Sequence, residues 1–167
     1  MKLINWKDDF LKRVVIIGAG ASGMLAAKVA SDRGYKVTVL EKQKRCGQKL
    51  LITGKGRCNI TNNCEIEELI ENVPTNGKFL YSAFYTFTND QVIDMFNDLG
   101  VETKTERGKR VFPVSDKAVD VVRALEKQMR SNKNVEVLLN SKVDKIEAQD
   151  GKVKKVILSD KREIECD

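Results

Sequence analysis

Gly18, Gly20 and Gly23 follow directly on four β-branched residues, Val14 to Ile17, and Glu41 closes the next apolar run. These types at this spacing suit one task. Gly18 permits a tight turn off a strand, and Gly20 has no side chain to block a phosphate. Gly23 lets the following helix sit close against a sheet. The pyrophosphate would then meet free backbone N–H groups at the positive end of a helix dipole. Glu41 would accept hydrogen bonds from ribose hydroxyls. An acid here, rather than an arginine, favours a free 2′-hydroxyl over a 2′-phosphate, and both NAD and FAD meet that test.

The elements that must position these residues are legible around them. Leu25, Ala26, Val29 and Ala30 mark a helical stripe, Gly34 stops it, and residues 35–40 form a second strand. Residues 42–64 carry two glycine clusters and little periodicity, as a functional loop does. Helical patterns return at 65–72, 78–86 and 89–99, the last with Val92, Met95, Phe96 and Leu99 on one face and Gly100 as its stop. Residues 101–106 and 109–112 read as a hairpin turning at Arg107-Gly108. Ser115 is expected to cap a helix over 116–131 with Ala118, Val121, Val122, Leu125 and Met129 inward. Residues 135–139 read as a third parallel strand, and 141–148, 152–158 and 162–166 as a meander with a tight turn at Asp150-Gly151.

Composition removes several chemistries. The chain has 167 residues, a net charge of +6, four cysteines and no histidine. Without histidine it cannot form Ser-His-Asp or Cys-His catalytic sets or histidine metal sites by itself. Cys46, Cys58, Cys64 and Cys166 contain no C-x-x-C pair, which argues against zinc, a redox dithiol and a disulfide framework, and for a reduced, cytoplasmic protein. No transmembrane run is present, and Met1 to Arg13 lacks the apolar core of a signal peptide. That segment, with Leu3, Ile4, Trp6 and Phe10, reads as a docked helix or a disordered lead-in. Gly54-Lys55 invites comparison with a P-loop, but Gly56 stands where a magnesium-binding Ser or Thr belongs.

Other candidates have plainer readings. Lys42, Lys44, Arg45, Lys49, Lys55 and Arg57 form a basic stretch that suits solvated loops, or a rim around a pyrophosphate, or a nucleic-acid patch. Cys58 lies among glycines and cations that could lower a thiol pKa, yet a small packed thiol is the simpler reading. Arg57 and Asn59 could bond a ligand or merely satisfy backbone carbonyls. Phe79, Tyr81, Phe84, Tyr85 and Phe87 read as core and surface cover rather than a stacking platform, and Glu67-Glu68 as an exposed helix face.

The run Gly47 to Asn62, with Thr53-Gly54-Lys55-Gly56-Arg57-Cys58-Asn59-Ile60-Thr61-Asn62 as its specific part, resembles the family of aminoacetone-oxidase and bile-acid-reductase-like NAD(P)/FAD-dependent oxidoreductases. The run Glu106 to Ala118 resembles it too. The resemblance extends from about Val14 to Glu165, and Thr53 replaces the Ser of many members. It implies a Rossmann-like α/β FAD-binding domain of the glutathione-reductase type, a parallel sheet with a β-meander. It implies FAD, held at the pyrophosphate by Gly18, Gly20, Ala21, Ser22 and Gly23 and at the ribose by Glu41, with Lys42 beside it. Val143 would meet the adenine through its backbone. Lys49, Thr53, Gly54, Gly56, Arg57 and Asn59 would line the flavin side. The flavin carries the hydride chemistry in such enzymes, with NAD(P)H as donor and a small organic molecule as substrate.

Members of that family exceed twice this length. The chain is therefore read as a truncated portion, a lead-in at 1–12 and a dinucleotide-binding domain at 13–167. The return strand, the inserted substrate domain and a C-terminal segment would lie elsewhere, or on a partner chain if the gene is split. The isolated chain is then expected to be inactive, and no catalytic residue or metal ligand is named. A non-catalytic dinucleotide-binding module and an RNA-modifying flavoenzyme remain as alternatives.

Overall fold

The computed structural model describes residues 12–167, so the lead-in expected at 1–12 lies, Lys12 apart, outside the described residues. The described residues divide into two compact units, 12–48 with 125–167, and 49–124.

The first unit is built on a parallel sheet. Strand β1 (Arg13–Ile17) leads through helix α1 (Ala21–Asp32) to strand β2 (Lys36–Leu40). β2 lies at the centre, pairing in parallel with β1 on one side and with β6 (Val135–Leu138) on the other. The β-branched residues favour extended backbone, and burial of the central β2 from both faces explains its near-continuous apolar run, whereas β1 is only half-buried. Val37, Val39 and Leu40 are almost wholly buried.

The buried stripe of α1 is Met24, Ala27 and Ser31. The sequence pattern put Leu25, Ala26, Val29 and Ala30 on the inward face, but Ala26 and Val29 are exposed and Leu25 and Ala30 only half-buried. Small residues at 27 and 31 let the helix approach the strands closely, which turns Val29 outward.

Strands β7 (Val143–Gln149), β8 (Lys152–Leu158) and β9 (Glu163–Glu165) form the antiparallel meander. Its turn residues Asp150 and Gly151 have φ of 52° and 73°, both left-handed, as a tight hairpin demands. Leu40, Val156 and Leu158 form one core cluster with Val15, Leu138, Val143 and Ile164 packed on it, which joins the meander to the parallel sheet.

The second unit holds a 3₁₀ segment (Leu50–Gly56) broken by non-helical backbone at Thr53, Gly54 and Lys55, a short strand β3 (Thr61–Asn62), helices α2 (Ile66–Glu71), α3 (Tyr81–Thr86) and α4 (Asn89–Asp98), and strands β4 (Thr103–Glu106) and β5 (Arg110–Pro113). β5 pairs antiparallel with both β3 and β4. Neither the 3₁₀ segment nor β3 stood out in the sequence. Thr88 caps α4 in a reciprocal box with Gln91, satisfying two otherwise orphaned backbone donors. Phe79 is 80% exposed and Tyr81 54%, so the aromatic run is surface rather than core.

Helix α5 runs over Ala118–Arg130 with all five expected residues buried. It starts two residues later than the pattern placed it. Asp116 has φ of 55°, a left-handed conformation that no helical residue adopts, and Ser115 Oγ accepts only from Lys117 N–H, at 3.4 Å.

Arg13, at the start of β1, grips Asp167. Its Nε and Nη2 donate to the two carboxylate oxygens at 3.1 and 3.0 Å. That fork holds the Asp167 carboxyl at about 2, against an ordinary 3.8. A depressed carboxylate stabilises the fold above its unfolded pKa and loses that contribution as pH falls through its folded one. The Asp167 carboxyl signal, followed by NMR, is therefore expected to titrate near 2, with the pair breaking only as pH falls toward that value. Titration near the ordinary value would show the fork is not populated.

Candidate functional site

The glycine turn and the acid meet in the first unit at the C-terminal ends of the parallel strands, where open α/β sheets hold ligands. Gly18 leaves β1 with φ of 100°, and its N–H donates to Leu40 O at 2.8 Å, extending the ladder. Gly20 is the N-cap of α1, with φ of −78° and no side-chain cap, and no acid occupies the first turn. The first N–H groups of α1 thus keep their donors for a ligand, with about half a unit of positive charge from the helix dipole behind them. Gly20, Ala21 and Ser22 are exposed; Gly23 is half-buried.

Space explains the glycines unequally. A Cβ on Gly23 would stand 1.9 Å from Gly18 O, whereas one on Gly20 would meet nothing within 4 Å. Gly23 is there for the fold. Gly20 leaves room that no described residue fills.

Glu41 is only 8% exposed. Its Oε2 accepts from Ala19 N–H at 2.8 Å and its Oε1 from Gln43 N–H at 2.9 Å. The carboxylate is thereby locked against the glycine turn, with lone pairs to spare for hydroxyl donors. Ser141 N–H donates to Glu41 O at 2.8 Å, which brings the chain just before Val143 alongside the acid. Val143 is half-buried and begins β7; Lys42 is exposed. A separate cleft of about 530 Å³, lined by Arg13, Lys36, Lys133 and Glu136 among others, lies at the strand starts, the opposite end from this chemistry.

The flavin-side candidates lie in the second unit. Lys49 is exposed, and Thr53 is half-buried with its hydroxyl donating to Leu50 O at 2.8 Å. The loop then takes a run of left-handed conformations: Gly54, Lys55, Gly56 and Cys58 have φ of 54°, 56°, 85° and 63°. At Lys55 and Cys58 this costs about 1–2 kcal/mol each. Such conformations persist only where surrounding contacts hold them. A Cβ on Gly54 would stand 3.0 Å from both Asn59 N and Phe112 Cε1, so the loop is pressed against the buried Phe112 ring. With its amide turned to satisfy both ends, Asn59 donates to Val111 O and Thr61 O, each at 3.3 Å.

Arg57 was expected to face a ligand or backbone carbonyls. It also binds carboxylates, donating to Glu106 and, through Nε at 2.8 Å, to Asp116. Its guanidinium lies 4.2 Å from the Phe112 ring centre. These partners went unseen in the sequence, because nothing local links a loop residue to one acid in a later hairpin and another beyond it.

Burial pushes the Cys58 thiol up rather than down, which removes the activated-nucleophile reading. Burial, with Glu126 nearby, pushes Cys46 up to about 11. Cys64 and Cys166 are partly exposed. Native protein treated with a thiol-specific chromogenic reagent is expected to show Cys64 and Cys166 reacting first, with Cys46 and Cys58 labelled only on unfolding. Rapid labelling of Cys58 in the folded protein would contradict this packing.

Comparison with known proteins agrees with this frame. The family described as HI0933-like protein Rossmann domain matches residues 12–167. The 3-dehydro-bile acid delta(4,6)-reductase of Clostridium scindens is 36% identical over 125 residues, covering 74% of this chain and 30% of that protein. The ribosomal RNA dihydrouridine synthase of Escherichia coli is 33% identical over 129 residues, covering 77% of this chain and 31% of its own length. The chain thus spans about a third of the length of these relatives. Among solved structures, the THI4 protein of Thermovibrio ammonificans superposes with a TM-score of 0.60 at 13% identity, covering 92% of this chain and half of that one. Among the described residues, no helix is long and apolar enough to cross a membrane.

Proposed function

This chain belongs to the family of the HI0933-like protein Rossmann domain, and on that premise we propose that it is the FAD-binding portion of a flavin-dependent oxidoreductase. The observation that carries the reading is the uncapped N-terminus of α1 behind Gly18 and Gly20, with Glu41 locked beside it. Gly18, Gly20, Ala21, Ser22 and Gly23 hold the pyrophosphate, Glu41 the ribose with Lys42 beside it, and Val143 the adenine. Lys49, Thr53, Gly54, Gly56, Arg57 and Asn59 are the residues assigned to the flavin. When bound, FAD supplies hydride transfer; the chain supplies position and field.

NAD(P)H is the proposed electron donor, and a small organic molecule with a reducible bond the proposed substrate. The bile-acid reductase relative supports the choice of substrate class. Four free thiols suit a reducing cytoplasm. The experiment is Glu41→Gln, which halves the acceptor character of the ribose clamp while keeping its shape. FAD affinity is expected to fall about ten- to hundred-fold, with the fold retained by circular dichroism. Unchanged affinity would remove Glu41 from the site.

A second reading has its own support. The ribosomal RNA dihydrouridine synthase relative, together with eight Lys and Arg against two acids in residues 12–48, favours an RNA substrate for the same flavin chemistry. RNA binding that weakens steeply with salt would favour it; binding too weak to titrate returns the small-molecule reading.

A further inference from the structure

Arg57 sits in a closed set of charges inside residues 49–124. Its Nε and Nη2 both reach Asp116 Oδ1, at 2.8 and 2.7 Å. Nη2 also donates to Glu106. Lys104 Nζ balances the acids, 2.7 Å from Asp116 Oδ2 and 3.5 Å from Glu106 Oε1. The guanidinium carbon lies over the ring of Phe112, which is 3% exposed. Phe112 backs the group, and the two carboxylates fix its orientation. Neither Nη1 hydrogen has an acceptor among the described residues.

We infer that Glu106 and Asp116 are positioning residues, which hold Arg57 so that its Nη1 hydrogens form a fixed donor edge for a carbonyl-bearing ligand. The identity of that ligand, the dione ring of a flavin, rests on the FAD reading above. Arg57 is also part of the left-handed loop: its N–H donates to Gly54 O at 3.2 Å, and Cys58 N–H to Thr53 O at 3.1 Å. Anchoring the side chain therefore anchors residues 53–59. Arg57 holds the Glu106 carboxyl below the usual carboxylate range, and Lys104 and then Arg57 do the same for Asp116, so the set stays ionised at neutral pH.

The test is a mutant cycle on this chain: Glu106→Gln with Asp116→Asn, Arg57→Lys, and all three together. Each is read by FAD titration and by the visible spectrum of the bound flavin, while Asp116→Glu serves as the conservative rescue. The neutral pair is expected to weaken FAD about ten-fold and to alter the fine structure of the flavin bands. Arg57→Lys should do the same, and the triple variant should cost little more, because the residues act as one unit. Additive losses, or wild-type binding by the neutral pair, would overturn the assignment.

If the wild-type chain takes up no FAD, the flavin reading fails by itself, and positioning is then judged from the Arg57 Nε–H proton in NMR spectra. Slow exchange in wild type that becomes fast in the neutral pair supports positioning. Fast exchange in wild type overturns it.

Discussion

Gly23→Ala is expected to destabilise the chain by about 3 kcal/mol or more, lowering Tm by roughly 10 °C for a protein of this size. The added methyl would stand 1.9 Å from the carbonyl oxygen of Gly18. Both groups are backbone-bound, so neither a rotamer change nor a flexible side chain can relieve the overlap. The start of α1 must lift away from β1, which spoils the turn and the packing of Met24 and Ala27 behind it. Thermal unfolding checks this directly. A Tm within about 2 °C of wild type would mean that the helix and strand are not held as closely as the geometry requires.

Gly20→Val is expected to do the opposite: leave the fold standing and abolish dinucleotide binding. Gly20 has an ordinary φ of −78°, and a Cβ there meets no protein atom within 4 Å. The cost to stability is limited to a poorer helix N-cap, about 1 kcal/mol. The branched side chain would fill the space over the first N–H groups of α1, where a pyrophosphate must come within hydrogen-bond distance. FAD affinity should fall about a hundred-fold or more. Binding at wild-type strength would place the pyrophosphate elsewhere. The pair of variants separates two roles that a glycine motif merges: one residue admits the helix, the other admits the ligand.

Much of the frame was legible because its signals are local. β-branched runs, the glycine turn, Gly34, Asp150-Gly151 and the stripe Ala118 to Met129 each act within a few residues, and the described chain carries a parallel sheet with a meander, as they imply. Glu41 at the end of β2 follows from the same pattern. What escaped depends on distant partners. Cys58 and Lys55 hold left-handed backbones without glycine, because Phe112, far along the chain, backs the loop they belong to. Asp116 leaves the helix that Ser115 seemed to cap, because Arg57 and Lys104 hold its carboxylate. Val29 belongs to an apolar pattern that close helix–sheet contact turned outward. Single residues announce their conformational needs, but the pairing of Arg57 with Glu106 and Asp116 is a property of the folded chain alone.

The measurement that bears most directly on the central claim is an absorbance spectrum of the purified protein followed by calorimetric titration with FAD and, separately, with NAD. The account predicts flavin bands or saturable FAD binding, lost in Gly20→Val and weakened in Glu41→Gln. Saturable NAD binding with no uptake of FAD would contradict it.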